Sequence, residues 1–140
     1  MIILDTDVLS VVQRGDSPEY ERLAERLDTA DEEVAVTIIS VEEQMRGCLA
    51  FIARAKSSFQ LVKAYGKLHE LLHDFTSRPV IDFDETCAAK FDLLVHAKIR
   101  VATMDLKITA TAISHDALLL SRNLADFRRV EGLRVEDWTL

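Results

Sequence analysis

The stretch MIILDTDVLS, residues 1–10, decides how this chain begins its fold. Three apolar residues, Ile2–Leu4, predict a short buried strand, and two acids, Asp5 and Asp7, follow before an apolar helical pattern starts. An apolar strand leading directly into a helix is typical of a parallel sheet that is covered on both faces. The residues after such a strand lie at the sheet edge where sites form, so Asp5 needs an explanation.

The rest of the chain alternates short β-type runs with helical patterns. Further strands are predicted at Val34–Thr37, Val80–Phe83, Ala117–Ser121 and Leu133–Val135, of which the Val34 strand is expected to be the shortest. Helices are predicted at Tyr20–Leu27, Ile38–Ala53, Glu85–Lys98 and Met104–Ser114, and around a buried stripe of Leu61, Tyr65, Leu68, Leu72 and Phe75. The pattern predicts one α/β domain over residues 1–140, with a mainly parallel sheet of about five strands flanked by helices on both faces.

Composition narrows the class of protein. No apolar run approaches the roughly 20 residues that cross a bilayer, and the N-terminus does not resemble a signal peptide, so we expect a cytoplasmic protein without a membrane partner. Cys48 and Cys87 lack a metal-type spacing and are expected to be buried, reduced thiols. The net charge of −7 argues against a general nucleic-acid binder, an objection that any nuclease hypothesis must answer.

Acids recur after the predicted strands and at helix starts. Asp5 ends the first strand, Glu42 and Glu43 follow the second, Asp105 opens a helix, and Asp126 follows the fourth strand. Each also has a structural interpretation. Thr6 or Asp7 could cap the first helix, and Ser40-Val41-Glu42-Glu43 matches a capping box. Asp105 could complement the dipole of its helix, and Asn123 with Asp126 could stabilise the first turn of another.

If four carboxylates converge, their repulsion is costly, because two like charges ~4 Å apart repel by roughly 4 kcal/mol at an effective dielectric of ~20. Protonation or a bound cation would relieve that repulsion. All-oxygen ligands favour hard ions, Mg²⁺ or Mn²⁺, over zinc. One or two such ions could activate water for phosphodiester hydrolysis.

The segments ILDTDVLS, TIISVEEQMRG, MDLKITATAI and LLLSRNLADF, in this order, resemble the PIN-domain ribonucleases and, within them, the VapC-type toxins of toxin–antitoxin pairs. The resemblance implies a metal-dependent endoribonuclease whose catalytic and metal-binding residues are Asp5, Glu43, Asp105 and Asp126. It selects Glu43 over Glu42 by the distance to Gly47, whereas Thr109 fits the third segment only loosely. It also implies cuts that leave a 5′-phosphate and a 3′-hydroxyl.

The same resemblance implies supporting residues and partners. Thr6, Asp7, Ser121 and Asn123 would support the acids. The cations near these segments are candidate contacts for RNA phosphates: Arg14, Arg46, Lys107, Arg122, Arg128 and Arg129. The charge objection softens, because four of the negative charges would sit in the metal site and be partly neutralised. A cognate antitoxin with basic side chains would suit an acidic toxin, and a homodimer is expected from the family alone.

Other functions remain open at this point. HELLH at residues 69–73 matches the zinc-protease signature H-E-x-x-H, with His69 and His73 as ligands and Glu70 as base, but only His96 or His115 could supply a third ligand. The D-x-D of Asp5 and Asp7 resembles the start of haloacid-dehalogenase-type phosphatases, although no late acidic pair follows. A catalytically inactive binding module of PIN type is a further alternative.

Overall fold

The structure, a computed structural model, describes all 140 residues, Met1–Leu140, as strands that alternate with helices. Along the chain the elements are β1 (Ile2–Leu4), α1 (Thr6–Arg14), α2 (Pro18–Ala30), β2 (Val34–Thr37), α3 (Ile38–Ala53), α4 (Ser58–Thr76), β3 (Val80–Ile81), α5 (Glu85–His96), α6 (Thr103–Ser114), β4 (Leu118–Leu120), α7 (Leu124–Phe127) and β5 (Arg134–Glu136). The α/β prediction is therefore confirmed.

The five strands form one parallel sheet in the order β3-β2-β1-β4-β5. The central strand β1 pairs with β2 on one side, where Ile3 faces Ala35, and with β4 on the other, where Ile3 faces Leu119. The chain order reverses between β1 and β4. In open α/β sheets this reversal separates the crossover loops and leaves a crevice at the carboxyl edge.

Helices cover both faces of the sheet, because successive strand residues point to opposite sides. Ile2 and Leu4 pack with α1 and α2 residues in one core, whereas Ile3 packs with α3, α6 and α7 residues in the other. The three β1 side chains are at most 1% exposed, so this strand is buried on both faces. Its uninterrupted apolar sequence is what this position requires.

The strand predictions hold in position but not always in length. The strand at Val34–Thr37, expected to be the shortest, is the longest, whereas the third strand is confined to Val80–Ile81. The fourth strand is shorter than predicted, at Leu118–Leu120, and the fifth is displaced by one residue to Arg134–Glu136. The third and fifth strands lie at the sheet edges, where a single neighbour limits the ladder.

The predicted buried stripe of α4 is wrong. Tyr65 and Leu72 are about half exposed, at 57% and 51%, and Leu61 is 38% exposed. The buried side of α4 instead centres on Ala64, which is fully buried. A small residue there allows a close approach of neighbouring elements, and α4 leaves much of its apolar surface uncovered.

Two further expectations, on membrane-spanning segments and on the cysteines, can be compared with the structure. None of the helices is both long enough and apolar enough to cross a membrane. Both cysteines are free thiols, and Cys87 is buried as expected, but Cys48 is partly exposed. Its position explains the difference, since Cys48 lines an open groove between α3 and α4.

Candidate active site

Asp5 lies where β1 passes into α1, at the sheet edge next to β4. Its backbone N–H donates to the carbonyl oxygen of Leu120 at 3.0 Å, and its carboxylate accepts from the N–H of Val8 at 2.8 Å. Asp5 is therefore the cap of α1, and the expectation that Thr6 or Asp7 fills that role is wrong, because the helix already begins at Thr6. A carboxylate has about four acceptor sites, so one cap bond leaves Asp5 with acceptor capacity.

Burial makes the charge on Asp5 costly. The side chain is only 5% exposed, and this desolvation raises the pKa of Asp5 from 3.8 to about 6. The Ser121 hydroxyl and the Val8 amide oppose that rise, whereas the carboxylates of Asp7 and Asp105 add to it. A helix cap alone does not require burial, so the location of Asp5 suits a site that holds positive charge.

Glu43 faces the start of α1 from the first half of α3. Thr6 Oγ1 donates to Glu43 Oε1 at 2.7 Å and lies 2.9 Å from Ser40 Oγ. The capping-box interpretation of Ser40–Glu43 is wrong, because Thr37 caps α3 by accepting from the Ser40 N–H at 3.2 Å. Glu43 thus has no capping duty. Glu42, by contrast, forms an ion pair with Arg46 at 2.5 Å.

Asp105 lies in the first turn of α6, a helix whose N-terminus has no side-chain cap. Its pKa is raised first by partial burial and then by the carboxylates of Glu43 and Asp126. Asp126, in α7, accepts from Asn123 Nδ2 at 2.8 Å, and Ser121 Oγ in turn accepts from the Asn123 N–H at 2.9 Å. The loop after β4 therefore orients Asp126.

Electrostatic repulsion links the four predicted acids through Asp105. Asp105 shares electrostatic repulsion with Asp5, Glu43 and Asp126, although they arrive from four separate segments. The carboxylates are nevertheless not drawn into a closed cage, since no three His, Cys, Asp or Glu side chains are grouped so as to hold a metal ion. The donor chemistry fits a hard divalent cation: all ligands would be oxygens, two are desolvated, and their repulsion favours a positive charge.

Asp7 and the candidate RNA-contacting cations differ in how close they lie to the four acids. Asp7 is exposed and pairs with Arg122 at 2.9 Å at the rim of the acidic group, and Arg129 lies 3.8 Å from Asp126. The other cations, Arg14, Arg46, Lys107 and Arg128, form no ion pair with the four acids. Arg14 ends α1, and nine helical residues place it roughly 13 Å along the axis from Asp5.

The H-E-x-x-H residues lie elsewhere, in α4. His69, Glu70 and His73 are all exposed, and they line a groove beside α1 rather than the carboxyl edge of the sheet. Asp74 lines the same groove, but no three acidic, histidine or cysteine side chains there are grouped so as to hold one metal ion. The geometry therefore gives a zinc-protease centre no support.

The sequence and the fold were compared with known proteins. The model of the PIN domain matches residues 2–133. The chain belongs to the PIN-domain family. A curated relative, Ribonuclease VapC1 of Rickettsia felis, is 27% identical over 140 residues, which cover 96% of this chain and 93% of that protein.

Solved structures share the architecture of this PIN domain. FitAcB from Neisseria gonorrhoeae is 26% identical with a TM-score of 0.71, covering 99% of this chain and 98% of that one. A toxin–antitoxin complex from Klebsiella pneumoniae contains a chain 20% identical with a TM-score of 0.69, covering 99% and 98%. The second likeness shows the fold alone.

Sequence reasoning missed one buried polar group of this PIN domain. The hydroxyl of Thr109 is fully buried and has no hydrogen-bond partner. Thr109 follows Asp105 by one helical turn, at the position that departs from the family-like segment. The departure from the family-like segment was the only sequence signal for this unpaired hydroxyl. It was not sufficient, because a threonine in a helix can bond to the carbonyl four residues earlier.

Proposed function

We propose that this chain is a divalent-metal-dependent endoribonuclease and the toxin of a toxin–antitoxin pair. Membership of the PIN family and the similarity to a protein named Ribonuclease VapC1 support the activity. The observation that carries the proposal is the Thr6–Glu43 hydrogen bond of 2.7 Å, which holds an acid of α3 at the start of α1, next to the buried Asp5. Repulsion among Asp5, Asp105, Glu43 and Asp126 supports it. Mg²⁺ or Mn²⁺, one or two ions, is the proposed cofactor, and Asp5, Glu43, Asp105 and Asp126 are the proposed ligands.

Each residue has a defined part in this proposal. When bound, a divalent ion supplies positive charge for a phosphate oxygen and lowers the pKa of a water molecule. Thr6 holds the Glu43 carboxylate, the Val8 amide holds Asp5, and Asn123 holds Asp126, so three of the four acids are oriented before substrate binds. Arg122 at the rim is the best-placed candidate for an RNA phosphate.

The partner proposal rests on surface chemistry and on the named relatives. A structure with the same fold is described as a toxin–antitoxin complex. Exposed apolar side chains on α3 and α4, including Leu49, Phe59, Val62 and Tyr65, offer area that a partner protein would cover. We propose a cognate antitoxin as that partner, a homodimer as the assembly, and the cytoplasm as the location.

The decisive experiment compares two adjacent glutamates in an RNA cleavage assay. Purified chain, free of antitoxin, is incubated with structured RNA in Mg²⁺, in Mn²⁺ and in EDTA. Glu43→Gln should lower cleavage by roughly 100-fold, the scale of losing one preorganised catalytic group. Glu42→Gln is the matched control, because Glu42 pairs with Arg46 on the same helix, and it should retain activity.

Three outcomes would contradict the proposal. Cleavage that survives both EDTA and Glu43→Gln would place the activity outside the acidic group. Equal losses of cleavage activity in Glu43→Gln and Glu42→Gln would mean that the Thr6 contact does not distinguish Glu43 as the catalytic acid. An absence of cleavage by the folded wild-type chain with either ion would favour the inactive binding module.

A further inference from the structure

Helix α4 carries a pair of histidines that the proposed ribonuclease does not use. His69 and His73 are one helical turn apart, and both side chains are exposed. They line an open groove of about 620 Å³ together with Glu70, Asp74 and Ser77 of the same region and Gln13 of α1. None of the four site acids lines this groove.

Spacing and ligand type give this pair a specific chemistry. Side chains at positions i and i+4 of a helix are neighbours, with Cβ atoms about 5–6 Å apart, so two imidazoles can reach one ion. Neutral imidazole suits Zn²⁺, Ni²⁺ and Cu²⁺, whereas Mg²⁺ and Mn²⁺ prefer carboxylates and water. We propose that His69 and His73 form a transition-metal site in this groove beside α1, separate from the carboxylate site.

The charged residues of the groove leave the two imidazoles as the protein ligands. Glu70 and Asp74 add negative charge to the groove, and Lys67 adds positive charge. Asp74 is already engaged, because it accepts from Gln13 Nε2 at 2.8 Å and pairs with Arg78 at 2.9 Å. No third ligand is grouped with the histidines, so water completes the coordination and the site is open.

The other two histidines provide an internal comparison. His96 Nδ1 lies 2.7 Å from the carbonyl oxygen of Asp92, and His115 Nδ1 lies 3.0 Å from that of Thr111. Each has a ring nitrogen engaged by the preceding helical turn, and neither has a second histidine one turn away. They match His69 and His73 in residue type but not in arrangement.

Metal binding at this pair has a structural consequence for α4. An ion bridging residues 69 and 73 ties one turn of the helix to the next and favours the folded state by mass action. The same stretch of α4 contains Asp74, which is hydrogen-bonded to Gln13 of α1. Zn²⁺ should therefore raise the melting temperature in a way that depends on both histidines.

The test uses the full untagged chain in saturating Mg²⁺, which occupies carboxylates and leaves the imidazoles free. Zn²⁺ binding is measured by competition with a chromophoric zinc indicator and by the Zn²⁺-induced change in melting temperature. His69→Gln and His73→Gln should each weaken binding by at least ~10-fold, since removing even an outer-shell partner costs about that much. His96→Gln is the matched control and should bind as the wild type does.

Two results would contradict this proposal. Failure of wild type to bind Zn²⁺ more tightly than the double variant His69→Gln/His73→Gln would overturn the site. Binding that is lost in His96→Gln instead would overturn it too. Circular dichroism of each variant checks that α4 remains folded, and RNA cleavage is not needed as a readout.

Discussion

Thr6 and Glu43 are joined by a hydrogen bond of 2.7 Å that links the first residue of α1 to the middle of α3. Thr6 therefore orients a carboxylate that does not belong to its own helix. Thr6→Val keeps the shape of the side chain and removes the donor. We expect this variant to bind Mn²⁺ roughly 10-fold more weakly, as for loss of a partner that orients a ligand. Titration calorimetry measures the affinity.

Two variants make this prediction specific. Thr6→Ser retains the hydroxyl and should restore most of the affinity. Thr29→Val, at an exposed threonine of α2 whose hydroxyl bonds to its own helix, should leave binding unchanged. If Thr6→Val binds Mn²⁺ as tightly as Thr6→Ser, the hydrogen bond does not orient a ligand.

Asp5→Asn should stabilise the protein near neutral pH while it weakens metal binding. Asparagine can still accept the Val8 hydrogen bond, but it brings no charge into the buried position. The folded pKa of about 6, against 3.8, corresponds to a cost of about 3 kcal/mol for ionised Asp5. Chemical denaturation at pH 7.5 without divalent ions measures the difference in the free energy of unfolding.

The pH dependence of that difference has a definite sign. Because the folded state binds the proton more tightly, wild type loses stability relative to Asp5→Asn as the pH rises from about 4 to above 6. The raised pKa of Asp105 lowers the stability of both proteins over the same pH range and so largely cancels from this difference. Saturating Mg²⁺ should reduce the gap. A gap that is constant from pH 4 to pH 7.5 would mean that Asp5 has no raised pKa.

Arg122 should contact RNA, with Asp7 holding it at the rim. The ion pair is largely solvent-exposed, so it contributes little stability and is easily exchanged for a phosphate. Arg122→Gln should weaken RNA binding and reduce the slope of log affinity against log salt by about 1. Fluorescence anisotropy in EDTA measures binding without cleavage. Arg54→Gln, at an exposed arginine that follows α3 and forms no ion pair, is the control, and equal slopes for the two variants would contradict the assignment.

Thr109→Val should stabilise the fold. The Thr109 hydroxyl is buried without a partner, and removing an unsatisfied polar group recovers about 1 kcal/mol or more. Thr111→Val is the matched comparison, because Thr111 is equally buried but donates to the Lys107 carbonyl at 3.0 Å. In thermal and denaturant unfolding, Thr109→Val should be more stable than Thr111→Val. The reverse order would show that Thr109 has a partner in solution.

The positions of the strands could be predicted from the sequence, because a run of apolar residues marks each of the central strands locally. Ile2–Leu4 and the predicted run that contains Leu118–Leu120 are uninterrupted apolar strands, and their burial on both faces follows from that composition. The choice of Glu43 over Glu42 needed a family resemblance, since the two are adjacent. The contact with Thr6 fits that choice, but only cleavage and binding measurements test it.

The face of α4 could not be read from periodicity alone. Its apolar residues occur on more than one side, and the neighbouring elements select the side around Ala64. The predicted caps of α1 and α3 were wrong for a similar reason. Several polar residues precede α1 and α3, and a shift of one to three residues in the helix start moves the cap from Thr6 to Asp5, or from Ser40 to Thr37.

The strand order 3-2-1-4-5 also determines when the acidic group can exist. Asp5 reaches its buried position only when β1 has β4 beside it, and Leu118–Leu120 lie most of the chain away from Ile2–Leu4. During synthesis, the residues from β1 to α6 emerge without that neighbour. A nascent or truncated chain that ends before Leu118 lacks both β4 and Asp126, so the charged centre assembles only when the protein is nearly whole.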